Sequence, residues 1–159
     1  MDKATEGHMK ELCRVIKYAI DTKNKGLKLR PEDTNDKWII KAYSDADFAG
    51  DKETRISVTG YVIYFMEVPI CWRSHGQKGV TLSTTEAEYV ACSEVVNELL
   101  FIVHMKIEVE LPIRVNVDNI GAIFLAENQN SSDRTKHVDI RYHFIRQYIK
   151  DGTIMVELV

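Results

Sequence analysis

The sequence predicts an α/β fold: a mixed five-stranded sheet, three antiparallel strands followed by two parallel ones, flanked by helices and preceded by a helical appendage. Three observations carry this reading. Between residues 38 and 75, three short segments rich in β-branched and aromatic residues follow one another with short connections, as in an antiparallel meander. A long apolar-striped helix at 84–105 then separates the meander from a strand at 113–117. Further helices separate that strand from a last one at 153–158, and strands joined through helices lie parallel.

The elements can be justified in order. From Ala4 to Ile20, apolar residues recur at Met9, Leu12, Cys13, Ile16 and Ile20, the spacing of an amphipathic helix. Residues 21–36 carry Gly26, Pro31 and many charges with little to bury, and so read as a linker with a short extended piece around Leu27–Leu29. A boundary near Lys37 divides the chain into an N-terminal helix and linker, 1–37, and a domain, 38–159. Within the domain the expected strands are 38–45, 58–66 and 68–75. After the long helix and the strand at 113–117 come a short helix at 119–127, a polar loop at 128–132, a helix at 138–150 and the last strand. No internal repeat or low-complexity segment interrupts this order.

Composition narrows the function classes. A chain of 159 residues with 45% hydrophobic and 28% charged residues suits one globular domain plus an appendage. No apolar run approaches the roughly 18 residues of a membrane span, and the first residues lack the apolar stretch of a secretory signal. Cys13, Cys71 and Cys92 are widely spaced and form no zinc pattern, so they are expected as reduced, mostly buried thiols of an intracellular protein. A net charge of −3 gives no global attraction to nucleic acid, so a polyanion must be held by local patches and by metal.

Three carboxylates stand at the mouths of these elements. Asp45 ends the first strand, Glu88 opens the long helix and Asp118 ends the strand at 113–117. If the two strands are neighbours and the helix packs across them, the three acids meet at one end of the sheet. Hard carboxylate oxygens then suit Mg²⁺. Helical periodicity chooses Glu88 over Glu86. Steps of three and four from Glu88 reach Ala91, Cys92, Val95, Leu99 and Ile102, the stripe expected to face the sheet. The same steps from Glu86 reach Tyr89, Val90, Ser93 and Asn97, a mostly polar face, and Glu86 lies three residues after the N-cap Ser83, as in a capping box. The structural alternatives are an edge salt bridge for Glu88, an Asx-turn for Asp47 and helix capping for Asp118.

The stretches Tyr43-Ser44-Asp45-Ala46-Asp47-Phe48-Ala49-Gly50-Asp51, Leu82-Ser83-Thr84-Thr85-Glu86-Ala87-Glu88-Tyr89-Val90-Ala91, Val117-Asp118-Asn119 and the run from Arg134 to Arg146 closely resemble the ribonuclease H domain of copia-type LTR retrotransposon Pol polyproteins. The N-terminal helix resembles the end of the reverse transcriptase that precedes this domain there. The resemblance implies a ribonuclease H-like fold and a metal-dependent endonuclease that hydrolyses the RNA strand of RNA–DNA hybrids during reverse transcription. It assigns Asp45, Glu88 and Asp118 to catalysis and to the metal. They would hold two Mg²⁺ ions about 4 Å apart, with Mn²⁺ as a substitute, and the products would carry 5′-phosphate and 3′-hydroxyl ends.

The implied partners are the RNA–DNA hybrid and the reverse transcriptase domain of the same polyprotein. The implied location is the cytoplasmic retrotransposon particle or the nucleus, with no membrane association. Thr84, Thr85 and Asn119 flank the acids and are candidates for contact with the hybrid, whose recognition rests on 2′-hydroxyls and phosphates. Arg134, Lys136, His137, Arg141 and Arg146 concentrate positive charge in a short stretch suited to phosphate, and Gln77 and Lys78 before the long helix are similar candidates for phosphate contact.

The sequence departs from the family at two points. Ribonucleases H carry a fourth Asp on a helix after the last strand, so the expected chain lacks that C-terminal helix and that ligand; Asp139 belongs to the preceding helix. Ile120 stands where a Gln is common. These departures keep open a second reading, a truncated or degenerate module that binds nucleic acid or polymerase without cleavage. An integrase-type nuclease orders its acids Asp, Asp, Glu, and a proofreading exonuclease needs Asp-x-Glu on its first strand; neither pattern is present.

Overall fold

The computed structural model describes residues 4–27, 38–127 and 136–159, with side chains in the last segment described from residue 143 onward. Helix α1, Glu6–Thr22, starts at Thr5, whose hydroxyl accepts from the His8 amide (3.3 Å) while His8 Nδ1 accepts from the Thr5 amide (3.2 Å). This is a capping box with His in the usual place of Glu or Gln. None of the α1 residues is buried, its apolar stripe included.

The strands are β1 (Ile40–Asp47), β2 (Val58–Phe65), β3 (Val68–Gly76), β4 (Ile113–Val117) and β5 (Ile154–Leu158), in the spatial order β3-β2-β1-β4-β5. The first three pair antiparallel, while β4 and β5 run parallel to β1 and to each other. The β2–β3 hairpin turns through Met66 and Glu67, both at positive φ (50° and 64°), the twist that a two-residue hairpin demands. β1 starts two residues later and ends two residues later than the sequence suggests. Trp38 makes only an isolated bridge to Val109, and Asp45 and Asp47 lie inside the strand.

Alternation within the strands sends Ile40, Ala42, Tyr61, Ile63, Ile113, Val115, Val117, Ile154 and Val156 to one face, where they form a single core with α2 (Thr84–His104), α3 (Ile120–Glu127) and α4 (Lys136–Lys150). The mixed five-stranded sheet flanked by helices is thus as expected, and among the described residues the helices that pack on the sheet share this face. The opposite face carries Tyr43, Val62, Trp72 and Val159 around a shallow hollow of about 490 Å³.

The polar flank expected for α2 is corrected. Tyr89, Val90 and Ser93 are buried along with Ala91, Cys92, Val95 and Leu99, because α2 packs against α3 and α4 as well as against the strands. Arg146, grouped above with phosphate-binding cations, is 5% exposed and donates from Nε and Nη2 to the Leu125 carbonyl (3.2 and 3.0 Å), tying α4 to the end of α3. A guanidinium there satisfies a helix-end carbonyl that α3 leaves open. Of the three cysteines only Cys92 is buried; Cys71 is half-buried and Cys13 exposed. Burial pushes the Cys92 thiol up to about 12, which makes it a core residue without nucleophilic character.

Candidate metal centre

The parallel ladder between β1 and β4 ends at the pair Ser44↔Val117. Beyond it, β1 continues to Asp47 while the chain leaves β4 at Asp118. The amide of Ala46 therefore has no strand to bond on that side. Glu88 fills the gap: from near the start of α2 its Oε1 accepts from the Ala46 amide at 3.1 Å. Asp45, one residue back on β1, and Asp118, one residue beyond β4, stand on either side. One carboxylate oxygen of each of Asp45, Glu88 and Asp118 lies within 4.8 Å of the others. The three residues singled out in the sequence thus meet at the end of the sheet, as expected.

Their environments differ. Asp45 and Asp118 are exposed, whereas Glu88 is 6% exposed and its Oε2 is buried with no hydrogen-bond partner among the described residues. Burial, opposed by the Ala46 hydrogen bond and reinforced by the charges of Asp118 and Asp45, pushes the Glu88 carboxyl up to about 7. None of the three acids has an ion pair with a basic side chain among the described residues. Three carboxylates this close, one of them dehydrated, form a site whose repulsion a divalent cation removes. The donor set is all oxygen, and the orphaned Glu88 Oε2 supplies a ready ligand, so the residues fit Mg²⁺ or Mn²⁺.

The structural alternatives for these acids are met by other residues. Asn119, not Asp118, caps α3: its Oδ1 accepts from the Ala122 amide (3.0 Å) and its carbonyl from the Ile123 amide (3.2 Å). Ser83 caps α2, with its hydroxyl accepting from the Glu86 amide (3.1 Å). Glu86 turns back to the Leu82 amide (2.7 Å), one residue earlier than a standard capping box. Glu86 is thus occupied with the helix start, and Glu88 alone reaches β1.

Around the acids, Thr84 is exposed and Thr85 half-buried at the start of α2. The Thr85 hydroxyl lies 3.5 Å from Asn119 Oδ1. The starts of α2 and α3 approach so closely here that a Cβ on Gly121 would lie 2.8 and 3.0 Å from Thr85 Oγ1 and Cγ2, and 3.1 Å from Asn119 Oδ1. Both γ atoms of a β-branched residue crowd the position, so rotating Thr85 cannot clear both contacts at once. Gly121→Ala is therefore expected to lower stability by roughly 1 kcal/mol net, the steric cost exceeding the gain in helix propensity, as measured by urea unfolding.

Several members of the expected nucleic-acid-facing set lie elsewhere or fall outside what the structure describes. Gln77 is 3% exposed inside the protein rather than on a phosphate-facing surface. Arg134 lies outside the described residues, and the side chains of Lys136, His137, Asp139 and Arg141 lie outside the described side chains. Ile120 is exposed at the first turn of α3, as its place after Asp118 requires.

Comparison with known proteins agrees with this architecture. No family model matches the chain. The chain is similar to the retrovirus-related Pol polyprotein from transposon RE1 of Arabidopsis thaliana, at 38% identity over 98% of this chain and 11% of the relative. It thus spans about a tenth of the length of the curated relatives that it matches across nearly its full extent. Among solved structures, it resembles LC11-RNase H1 in complex with an RNA/DNA hybrid (TM-score 0.56, 16% identity, 76% of this chain and 83% of that one). It also resembles the prototype foamy virus protease-reverse transcriptase (TM-score 0.53, 12% identity, 84% of this chain and 19% of that one). The chain is homologous over nearly its whole length to copia-type retrotransposon Pol polyproteins, and its fold is ribonuclease H-like.

Proposed function

We propose that this chain is the ribonuclease H module of a retrotransposon Pol polyprotein, a divalent-metal-dependent endonuclease acting on the RNA strand of RNA–DNA hybrids during reverse transcription. The observation that carries the reading is the meeting of Asp45, Glu88 and Asp118 within 4.8 Å, with a buried Glu88 oxygen that has no hydrogen-bond partner among the described residues. Bound Mg²⁺ supplies a Lewis acid that activates water and offsets the charge gathering on the phosphodiester. Asp45, Glu88 and Asp118 would hold the ion, with Glu88 positioned by its hydrogen bond from the Ala46 amide.

The substrate is held by groups beside the acids. Thr84 and Thr85 offer hydroxyls to the 2′-OH and phosphates of the hybrid. Asn119 spends its carbonyl oxygen on α3 and Thr85, and its amide nitrogen has no partner among the described residues. Arg134, Lys136 and His137 add contacts to the phosphates of the hybrid. Residues 1–37 form an appendage that links the module to the reverse transcriptase domain of the parent polyprotein, and the reaction takes place in the cytoplasmic retrotransposon particle.

The test is an assay with end-labelled RNA–DNA hybrid, RNA duplex and DNA duplex, with and without Mg²⁺. Cleavage confined to the RNA strand of the hybrid, dependent on the ion and leaving 5′-phosphate ends, is the expected result. Binding of the hybrid with no cleavage at any Mg²⁺ or Mn²⁺ concentration would favour a module that only holds nucleic acid.

A further inference from the structure

Gln77 is buried in the connection between β3 and α2, and the mechanism above makes no use of it. Its side-chain amide nitrogen donates twice, to the Thr59 hydroxyl on β2 (3.1 Å) and to the Ala87 carbonyl in the first turn of α2 (3.0 Å). Its own backbone amide donates to the Ser57 carbonyl (2.8 Å), which fixes where the side chain starts. Both ends of this strut lie beside the metal centre. Thr59 is the cross-strand partner of Ala46, and Ala87 immediately precedes Glu88.

The contacts close a circuit. Glu88 accepts from Ala46, Ala46 is in register with Thr59, Thr59 accepts from Gln77, and Gln77 reaches the carbonyl next to Glu88. A second link runs parallel to it, since the Ser57 hydroxyl accepts from the Ala49 amide (3.0 Å) and shares a hydrogen with Thr81 Oγ1 (2.7 Å), holding the loop after β1 to the loop before α2. The spacing between α2 and β1 at the acids is thus set by polar contacts of defined length, where sliding apolar surfaces would tolerate ångström shifts. We propose that Gln77 is a positioning residue: it fixes the first turn of α2 against β2 so that Glu88 reaches the end of β1 at the distance that a shared cation requires. Its relevance to catalysis rests on the metal-centre reading above; the placement of Glu88 does not.

The experiment uses the full chain, wild type beside Gln77→Met, which keeps length and removes both donors, and Thr59→Val, which removes one acceptor with Gln77 intact. In metal-free protein, amide hydrogen exchange at Ala46 reports the bond to Glu88, while the Val95 and Leu99 amides report the core. Mn²⁺ affinity is measured by calorimetry on the same samples. Expected are faster exchange at Ala46 with Val95 and Leu99 unchanged, and about tenfold or greater weakening of Mn²⁺ binding in both variants. In a Glu88→Gln background, Gln77→Met is expected to weaken Mn²⁺ no further. Unchanged Ala46 exchange in both variants overturns the proposal, as does faster Ala46 exchange with wild-type Mn²⁺ affinity. Faster Ala46 exchange in a protein whose wild type binds no Mn²⁺ upholds the placement of Glu88 by Gln77 and removes the metal reading instead. If Gln77→Met does not fold, Thr59→Val decides by the same two readings.

Discussion

Replacing Asp118 with Asn is expected to lower Mg²⁺-dependent cleavage of the hybrid by on the order of 10³-fold or more, with no loss of thermal stability. The kinetic loss follows from chemistry: Asn keeps the shape of Asp but removes one of three charges that hold the cation. The absence of a folding cost follows from structure. Asp118 is exposed, has no ion pair among the described residues, and leaves the capping of α3 to Asn119. Removing one of three crowded negative charges also relieves repulsion, so the metal-free variant should melt at the same temperature or slightly higher. Cleavage at the wild-type rate would refute the assignment of Asp118. A large drop in melting temperature would mean that Asp118 is a structural residue.

Glu88→Gln carries the second large effect, with opposite signs for stability and for metal binding. The folded protein holds the Glu88 carboxyl near 7, against an ordinary value of 4.5. Between these values the folded state binds more protons than the unfolded chain, so this group makes stability fall as pH rises through that window and level off above it. Gln removes the titration while keeping an oxygen for the Ala46 amide and placing N–H donors toward Asp45 and Asp118. The metal-free variant should therefore be more stable than wild type at pH 8 by roughly 1–3 kcal/mol, after allowance for water around the two exposed acids. At pH 4 the difference should vanish. Mn²⁺ binding, by contrast, must displace a proton from Glu88 below about 7, so wild-type affinity should rise with pH across the window while the variant binds weakly throughout. Urea unfolding at pH 4 and pH 8 in the presence of a chelator, paired with calorimetry, measures both. A variant less stable than wild type at pH 8 would contradict the buried, repelled state of Glu88.

Much of this site was legible before any coordinates. Helical periodicity separated Glu88 from Glu86 because only one of them sits above the stripe that faces the strands, and α2 obeys that stripe through Cys92, Val95 and Leu99. Asp45 and Asp118 followed from strand ends. The polar flank assigned to α2 failed because burial on that side depends on where α3 and α4 pack, and Tyr89, Val90 and Ser93 mark the contact only once those helices are in place.

Gln77 and Arg146 depart from the expected surface position for a related reason. A polar side chain in a loop or on a charged helix looks solvated in the sequence, yet each is buried because a backbone carbonyl, of Ala87 or of Leu125, lies within its reach. Asn119 was expected at the substrate, with capping as its alternative; it caps α3, and its remaining amide nitrogen keeps the substrate role open to test. Alternation in the strands locates the core, whereas the sharing of one sheet face by the described helices is set by how they pack together, which alternation does not encode.

The central claim, that Asp45, Glu88 and Asp118 jointly bind a divalent cation, is tested most directly by anomalous diffraction from crystals soaked in Mn²⁺. An anomalous peak is expected at about 2.2 Å from an oxygen of each of the three carboxylates. Mn²⁺ found only elsewhere on the protein, or three carboxylates too far apart to share an ion, would contradict it.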